Sequence, residues 1–452
     1  MPLQVWVFRG GRQHGRLTPG PQMVESTSGV KQPEHPKLIQ IMGPGLITGA
    51  SDDDPSGIAT YSQAGAAFGF GLAWTLVFSF PLMAGIQEIS ARIGRVTGRG
   101  IAGNLKRFYP PWLLHGIVSL LVLANVINIG ADLGAMGSAL QLLVGGPVAL
   151  YVAVFAAVTA ALEVFVRYSR YVAVLKYLTL ALLAYVATVF VVGVPWGKVA
   201  WAILLPPLSW HKDYVLFVVA ILGTTISPYL FFWQAEEEVE EEKEDPEKAP
   251  LKQAPAQAPN EFYRIRIDTY LGMAISNLVA LFILLTTAAT LNAHGAGDIQ
   301  TSAQAAEALK PIAGPFAFAL FAAGIIGTGL LALPVLAGSA AYALGEARGW
   351  PVGLSKTASR AKAFYAAIAV AMLIGVIINL MGIDPIKALF ASAVVNGVVS
   401  VPVMVTMMLM TRRKDIMGKF TLPPILTILG WVATLAMTSA VGVLALGTLI
   451  WA

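Results

Sequence analysis

Apolar segments long enough to cross a lipid bilayer follow one another along nearly the whole chain. Of its 452 residues, 56% are hydrophobic and 12% are charged, which lies outside the usual range for soluble domains. A helix of about 20 apolar residues crosses the hydrocarbon core of a bilayer. The sequence therefore predicts an all-α polytopic membrane protein of about 11 transmembrane helices, over residues 39–67, 71–94, 113–143, 147–166, 171–193, 213–235, 267–291, 313–344, 361–381, 386–410 and 424–450.

The first and sixth of these segments are interrupted by polar and helix-breaking residues. Residues 49–57 (GASDDDPSG) place three consecutive carboxylates, Asp52, Asp53 and Asp54, at membrane depth, and residues 223–229 (GTTISPY) interrupt the sixth segment in the same way. Carboxylates and unwound backbone are unfavourable in hydrocarbon unless they line a cavity or a site. Matched breaks in two halves of one chain are typical of transporters with a substrate site near the membrane midplane.

The five-segment separation of the breaks predicts how the chain is organised. We expect two inverted repeats, over residues 39–193 and 213–410, followed by one extra helix over 424–452. Residues 1–38 lack the apolar core and cleavage site of a signal peptide, so a mobile cytoplasmic tail is expected there. Residues 236–261, which begin EEEVEEEKEDPEKAPLK, predict an acidic cytoplasmic loop. This loop is either a solvated helix exit with a flexible linker or an acidic region that attracts ions.

Charge placement predicts the orientation and excludes several functions. Basic residues cluster in the tail and in loops 95–107, 167–170, 348–362 and 412–414, which predicts a cytoplasmic N-terminus and an external C-terminus. The net charge of +5 reflects this bias and indicates no nucleic-acid partner. Cysteine is absent, and the sequence contains no cofactor motif, metal cluster or nucleophile–base pair that would indicate an enzyme. Nothing in the sequence indicates the oligomeric state.

Several segments resemble the NRAMP family of divalent-metal transporters. They are residues 43–60 (GPGLITGASDDDPSGIAT), 90–99 (SARIGRVTGR), 223–228 (GTTISP) and 383–389 (IDPIKAL), which follow one another in the family's order. The resemblance implies a LeuT-type fold, in which five helices are repeated in inverted topology and helices one and six are broken. It also implies transport of a divalent metal ion across a bacterial inner membrane.

The resemblance implies a substrate-ion site at the two breaks. Asp54 matches the family's metal-binding aspartate, and Thr224 matches the residue that supplies a backbone carbonyl. The family's asparagine, methionine and histidine are replaced by Gly57, Ser227 and Tyr229. The chain is therefore similar to a divergent bacterial branch of the family, of the magnesium or metal–citrate type.

These replacements predict a harder and wider site. A methionine thioether selects soft transition metals, whereas oxygen ligands suit Mg²⁺ and Mn²⁺. Such a site accommodates an ion that keeps several waters, or a metal wrapped by a small polycarboxylate such as citrate. A carboxylate of such a complex would bind the N–H groups at Ser56 and Gly57, where the outer half-helix begins. The sequence leaves both options open.

Other polar residues near the breaks have two interpretations each. Asp54 itself is either an ion ligand or a helix cap, while Asp52 and Asp53 either contact the substrate or line its vestibule. Thr225 and Ser227 either face the site or satisfy backbone groups that the break leaves free, and Tyr229 is interpreted as packing or as a gate. Interhelical hydrogen bonds or a water path explain the remaining membrane polar residues equally well: Asn128, Asp132 and Asn396. Glu88 belongs either to a pathway or to a pair with Arg92.

The leading hypothesis for function is a secondary-active importer of a divalent metal ion, free or as a citrate complex, that works by alternating access. No Walker motif occurs in the sequence, which favours coupling to a gradient. Family features that carry protons are missing, because Asp132 is not followed by a second acid one turn later. The alternative hypothesis is a transporter of a small organic anion or amino acid coupled to Na⁺ or H⁺ on the same scaffold.

Overall fold

The computed structural model describes residues 44–166 and 180–450, and every regular element in these two ranges is helical. The helices of the first half are α1 (Pro44–Asp52), α2 (Pro55–Phe68), α3 (Ala73–Thr97), α4 (Ile101–Phe108), α5 (Pro111–Val144), α6 (Val148–Phe165), α7 (Leu183–Val191) and α8 (Trp196–Leu204). Those of the second half are α9 (Lys212–Thr225), α10 (Pro228–Glu244), α11 (Ala258–Thr290), α12 (Ser302–Glu307), α13 (Lys310–Ala313), α14 (Ala317–Arg348), α15 (Lys362–Leu380), α16 (Pro385–Arg412), α17 (Lys414–Met417) and α18 (Pro424–Ile450). The predicted tail, residues 1–38, lies outside the described residues.

The predicted membrane segments coincide with these helices. Within the described ranges, nine helical stretches are long and apolar enough to cross a membrane, or ten if the bent pair α7 and α8 forms one span. This number is below eleven for two reasons. The first and second segments run together from Pro55 to Thr97, through a short 3₁₀ turn, and residues 171–179 of the fifth segment lie outside the described part. The division into repeats at 39–193 and 213–410 stays a prediction.

Both predicted helix breaks are present at the expected positions. Helix α1 ends at Asp52 and α2 begins at Pro55, while α9 ends at Thr225 and α10 begins at Pro228. Proline fits the first position of a helix because its missing N–H group has no helical partner there. Each break therefore ends one half-helix and starts the next within three residues.

Glycines allow the broken helices to pack closely on their neighbours. A Cβ atom on Gly45 of α1 would lie 2.6 Å from the backbone nitrogen of Thr269 on α11. A Cβ atom on Gly223 of α9 would lie 2.6 Å from the backbone nitrogen of Gly397 on α16. Such contacts bring helix backbones together, as small residues commonly do in membrane proteins. The packing fixes where each break lies relative to the surrounding helices.

The acidic segment departs from the expected flexible loop. Helix α10 continues to Glu244, and alternate glutamates from Glu236 to Glu242 are buried. On one side of this helix, Arg95 of α3 pairs with Glu242 at 3.0 Å, and Arg264 of α11 pairs with Glu238 at 2.5 Å. The burial of these glutamates contradicts the solvated exit, which was one of the two interpretations of this segment, and two of the glutamates pair with arginines of neighbouring helices.

The other side of the acidic helix binds neutral donors. The carboxylate of Glu240 accepts hydrogen bonds from the Ser355 hydroxyl at 2.8 Å and from the Ser355 backbone nitrogen at 3.3 Å. Glu346 of α14 accepts hydrogen bonds from the backbone nitrogens of Gly100 and Gly103, at 2.9 and 2.6 Å, at the start of α4. Hydrogen bonds of this kind offset part of the cost of burying a carboxylate.

The Arg264 cluster provides a test of this packing. We expect Arg264→Ala to lower the free energy of unfolding by about 3 kcal/mol, because it leaves the buried Glu238 carboxylate without its cation. Lys310→Ala is the matched control, since Lys310 pairs with Glu307 and their side chains are 50% and 47% exposed. That exposed pair should contribute about 0–1 kcal/mol. Unfolding of both variants in mixed micelles measures the difference, and equal losses would contradict the assignment.

Candidate functional site

Asp54 caps helix α2 and is held by three donors. Its backbone is extended, and its Oδ1 atom accepts hydrogen bonds from the Ser56 hydroxyl and the Gly57 backbone nitrogen, both at 2.7 Å. Its Oδ2 atom accepts one from Asn128 Nδ2 at 3.0 Å, and the residue is 2% exposed. A carboxylate oxygen has two lone pairs, so Oδ2 keeps the capacity to bind a cation. The helix cap and the ion ligand, taken as alternatives from the sequence, are therefore compatible.

The amide group of Asn128 connects three helices. Its Nδ2 atom donates to Asp54 Oδ2 and to Asp132 Oδ2, each at 3.0 Å, and its Oδ1 atom accepts from Asn396 Nδ2 at 3.1 Å. One amide thus links the break on α2 to α5 and α16. Asn128 and Asn396 therefore form interhelical hydrogen bonds, which was one of the two interpretations of these residues, the other being a water path. The Oδ1 atom of Asp132 is buried and has no hydrogen-bond partner within the described part of the chain.

Asp52 and Asp53 face helix α11 and share a single donor. The Ser276 hydroxyl lies 2.6 Å from Asp52 Oδ2 and 3.2 Å from Asp53 Oδ1. A hydroxyl carries one hydrogen, so it serves only one of these two oxygens at a time. Sequence analysis missed Ser276, because a single serine in an apolar helix carries no signal of its own.

The second break leaves a backbone carbonyl short of donors. The Ser227 hydroxyl lies 2.8 Å from the carbonyl oxygens of both Gly223 and Thr224, and its one hydrogen serves one of them. Thr225 donates to the carbonyl of Ile221 at 3.0 Å. Ser227 and Thr225 therefore satisfy freed backbone groups, which was one of their two interpretations. The Thr224 carbonyl remains a candidate ligand for a cation.

Tyr229 joins the two breaks. Its hydroxyl donates to the carbonyl oxygen of Ser51, in the last turn of α1, at 3.3 Å. Helix α1 packs on α10, and α2 packs on α9. The start of α10 is thus attached to the end of α1, so the two interruptions lie side by side.

The space beside Gly57 is occupied by an aromatic ring. A Cβ atom on Gly57 would lie 3.2 Å from Tyr61 Cε2 and 3.5 Å from Asp54 Oδ1. The expectation of open volume at this position was wrong, because Tyr61 is four residues further along α2 and covers the same face. Sequence analysis missed Tyr61, although the i, i+4 spacing from Gly57 could have indicated it.

Glu88 belongs to a charge cluster. Arg92 Nη2 lies 2.6 Å from Glu88 Oε1, and Arg266 Nε lies 3.6 Å from the same oxygen. The spacing of four residues places Glu88 and Arg92 on one face of α3. This geometry favours pairing with Arg92 over a role in an ion pathway.

The candidate site offers hard oxygen donors in a closed environment. Asp52, Asp53, Asp54, Thr224 and Ser227 are all buried, so a ligand can reach them only when helices move. No group of three or more His, Cys, Asp or Glu side chains that could hold a metal ion occurs among residues 44–166 and 180–450. The oxygen atoms of these residues are of the type that hard divalent cations prefer as ligands.

Comparisons with known proteins give the family of this chain. A family model described as "Natural resistance-associated macrophage protein-like" matches residues 45–447. A protein of Yersinia enterocolitica named divalent metal cation transporter MntH is 26% identical over 402 residues, which cover 87% of this chain and 91% of that protein. A protein of the same name from Deinococcus radiodurans is 26% identical over 418 residues, 90% of each chain.

The fold also matches a solved structure. The chain resembles the crystal structure of the Eremococcus coleocola manganese transporter in complex with an aromatic bis-isothiourea substituted compound. The TM-score is 0.72 at 16% identity, over 91% of this chain and 88% of that chain. The predicted fold class, an all-α membrane protein of the LeuT type with helices one and six broken, is confirmed.

Substitutions at Asp54 separate its capping role from its charge. Asparagine caps helices about as well as aspartate, so Asp54→Asn should keep the cap of α2. It should lose the hydrogen bond from Asn128, at a cost of about 1 kcal/mol, and it should lose binding of Mn²⁺ and Mg²⁺. Asp54→Ala should lose the same binding and, in addition, about 1 kcal/mol of stability. Calorimetric titration and thermal unfolding measure the two effects. If Asp54→Asn binds these metals with wild-type affinity, the Asp54 carboxylate is not a ligand of the ion.

Proposed function

Because the chain belongs to the Nramp family, we propose that it transports a divalent metal ion across a bacterial inner membrane by alternating access. The observation that carries this proposal is the pair of adjacent helix breaks. One break presents the Asp54 carboxylate, and the other presents the Thr224 carbonyl with an incomplete set of donors. A carboxylate and a carbonyl are ligands that divalent cations of the Mg²⁺ and Mn²⁺ type bind.

The donor set supports a hard ion. Ser227 stands at the position where the resemblance places a thioether, and its hydroxyl is bonded to backbone carbonyls. A soft ion such as Cd²⁺ therefore gains no sulfur ligand at this position. Two protein ligands leave most of the coordination sphere of a divalent ion to water, and Mg²⁺ in particular keeps several waters when it binds to proteins.

The breaks also supply the means of alternating access. The inner half-helices are α1 and α10, and the outer half-helices are α2 and α9. Two non-helical residues join α1 to α2, and two join α9 to α10. Such residues absorb backbone rotation without the loss of helical hydrogen bonds. With a cytoplasmic N-terminus, as the basic loops predict, movement of α1 and α10 opens the site to the cytoplasm and releases an imported ion. The gradient of a second ion provides the energy.

A metal–citrate complex is less well supported than a free hydrated ion. The complex requires free N–H groups at the start of α2, but the Gly57 N–H already donates to Asp54 Oδ1 at 2.7 Å. A citrate carboxylate would have to displace the carboxylate that binds the metal. An organic anion or amino acid meets the same obstacle at its carboxylate.

Ser227 provides a test of selectivity. Ser227→Met restores a thioether, so the preference for Cd²⁺ over Mg²⁺ should rise by about tenfold or more. Ser227→Ala removes the hydroxyl without adding sulfur and should leave the preference near that of the wild type. Competitive uptake into proteoliposomes measures both. A wild-type protein that already prefers Cd²⁺ strongly would overturn the hard-site argument.

Citrate separates the free ion from the complex. Metal uptake is measured at fixed free-metal activity while the citrate concentration is raised. A free-ion transporter gives a flat response, because citrate only buffers the metal, and this is the expected result. A response that rises with citrate would establish the complex as the substrate. Uptake of citrate in the absence of metal would instead support the organic-anion alternative.

A further inference from the structure

Tyr61 is a fully buried residue of α2, one helical turn beyond Gly57. It is 0% exposed, and its ring edge lies where a side chain on residue 57 would extend. Its hydroxyl group lies beside the Thr224 side chain, across the gap between α2 and α9. Tyr61 therefore lies close to Asp54 on one side and to Thr224 on the other.

The hydroxyl of Tyr61 has no hydrogen-bond partner of ordinary geometry among the described residues. A buried hydroxyl without a partner is unfavourable by about 1–3 kcal/mol. Most buried polar groups in native proteins are satisfied, and an exception calls for an explanation such as a bound water or ligand. A phenylalanine would fill the same space without this penalty, so the packing of the ring does not explain the hydroxyl.

We propose that Tyr61 determines the specificity of the ion site. Its ring sets the size of the space beside Asp54, and its hydroxyl binds a water molecule that the transported ion retains. This inference rests on the proposed function, because it assigns the residue that recognises the ion's hydration shell. The ion then has three contacts in the site: the Asp54 carboxylate, the Thr224 carbonyl and, through a water molecule, the Tyr61 hydroxyl.

Binding through water fits the chemistry of the surroundings. A phenol hydroxyl both donates and accepts one hydrogen bond, and a metal-bound water is a strong donor. Hydrogen bonds through such waters are nearly as favourable as direct ones. An ion that sheds water reluctantly, such as Mg²⁺, therefore gains more from Tyr61 than an ion that dehydrates readily.

Tyr61→Phe removes the hydroxyl and keeps the ring. We expect unchanged or slightly raised thermal stability, together with a Mg²⁺ affinity about tenfold weaker and a smaller loss for Mn²⁺. The matched control is Tyr342→Phe on α14, because the equally buried Tyr342 hydroxyl accepts a hydrogen bond from the Leu354 backbone nitrogen at 3.0 Å. This control should lose stability and keep wild-type metal affinity. Unchanged Mg²⁺ affinity in Tyr61→Phe, or a stability loss like that of the control, would overturn the assignment.

A second pair of variants tests the size of the ring. Gly57→Asn should lower stability, because its Cβ atom would lie 3.2 Å from Tyr61 Cε2. Tyr61→Ala alone also lowers stability, because it leaves a cavity where a buried ring was. If the ring opposes a side chain at residue 57, the double variant Gly57→Asn with Tyr61→Ala should lose less stability than the sum of the two single losses. If the two losses simply add, the ring does not set the space at residue 57, and that half of the inference is wrong.

The outcomes distinguish this inference from the proposed function. Wild-type metal binding that survives in Asp54→Asn would contradict the ion site as a whole. Binding that is lost in Asp54→Asn but unchanged in Tyr61→Phe would contradict the role of Tyr61 alone. Calorimetric titrations of the purified full chain with Mg²⁺ and Mn²⁺ give both readouts in one set of measurements.

Discussion

The hydrogen bonds of the Asp54 carboxylate hold the candidate site together. One oxygen caps helix α2 through Ser56 and Gly57, and the other accepts the Asn128 amide, which also reaches Asp132 and Asn396. A carboxylate buried at this depth requires such donors. Because the same carboxylate caps α2 and accepts the Asn128 amide, binding of a cation at Asp54 would alter the contact between α2 and its neighbours α5 and α16.

Helix α10, one of the helices that we propose to move, makes two kinds of contact with its neighbours. Helix α10 is joined to α3 and α11 by buried ion pairs of Arg95 and Arg264. Its contact with the loop at Ser355 consists of hydrogen bonds from neutral donors. Separating a buried ion pair exposes unpaired charges, whereas water readily replaces a neutral donor. The geometry thus favours a movement in which α10 stays with α3 and α11 and leaves the loop.

Much of the fold followed from local sequence, and part of the site did not. Pro55 and Pro228 mark the two breaks, and apolar segments mark the membrane helices, because both signals depend only on neighbouring residues. The burial of alternate glutamates from Glu236 to Glu242 was not predictable in this way, since their partners Arg95, Arg264 and Ser355 lie on other parts of the fold. The contacts of Ser276 were missed for the same reason.

The sequence by itself determined that this chain spans a membrane, where its two helices break, and that Asp54 stands at the first break. Those features are set by hydropathy and by the absence of a backbone N–H in proline. Only the tertiary structure decided which donors each carboxylate receives, and that Tyr61 fills the space beside Gly57. Hydrogen bonds and packing between helices depend on residues far apart in the chain, and their geometry is fixed only when those helices meet.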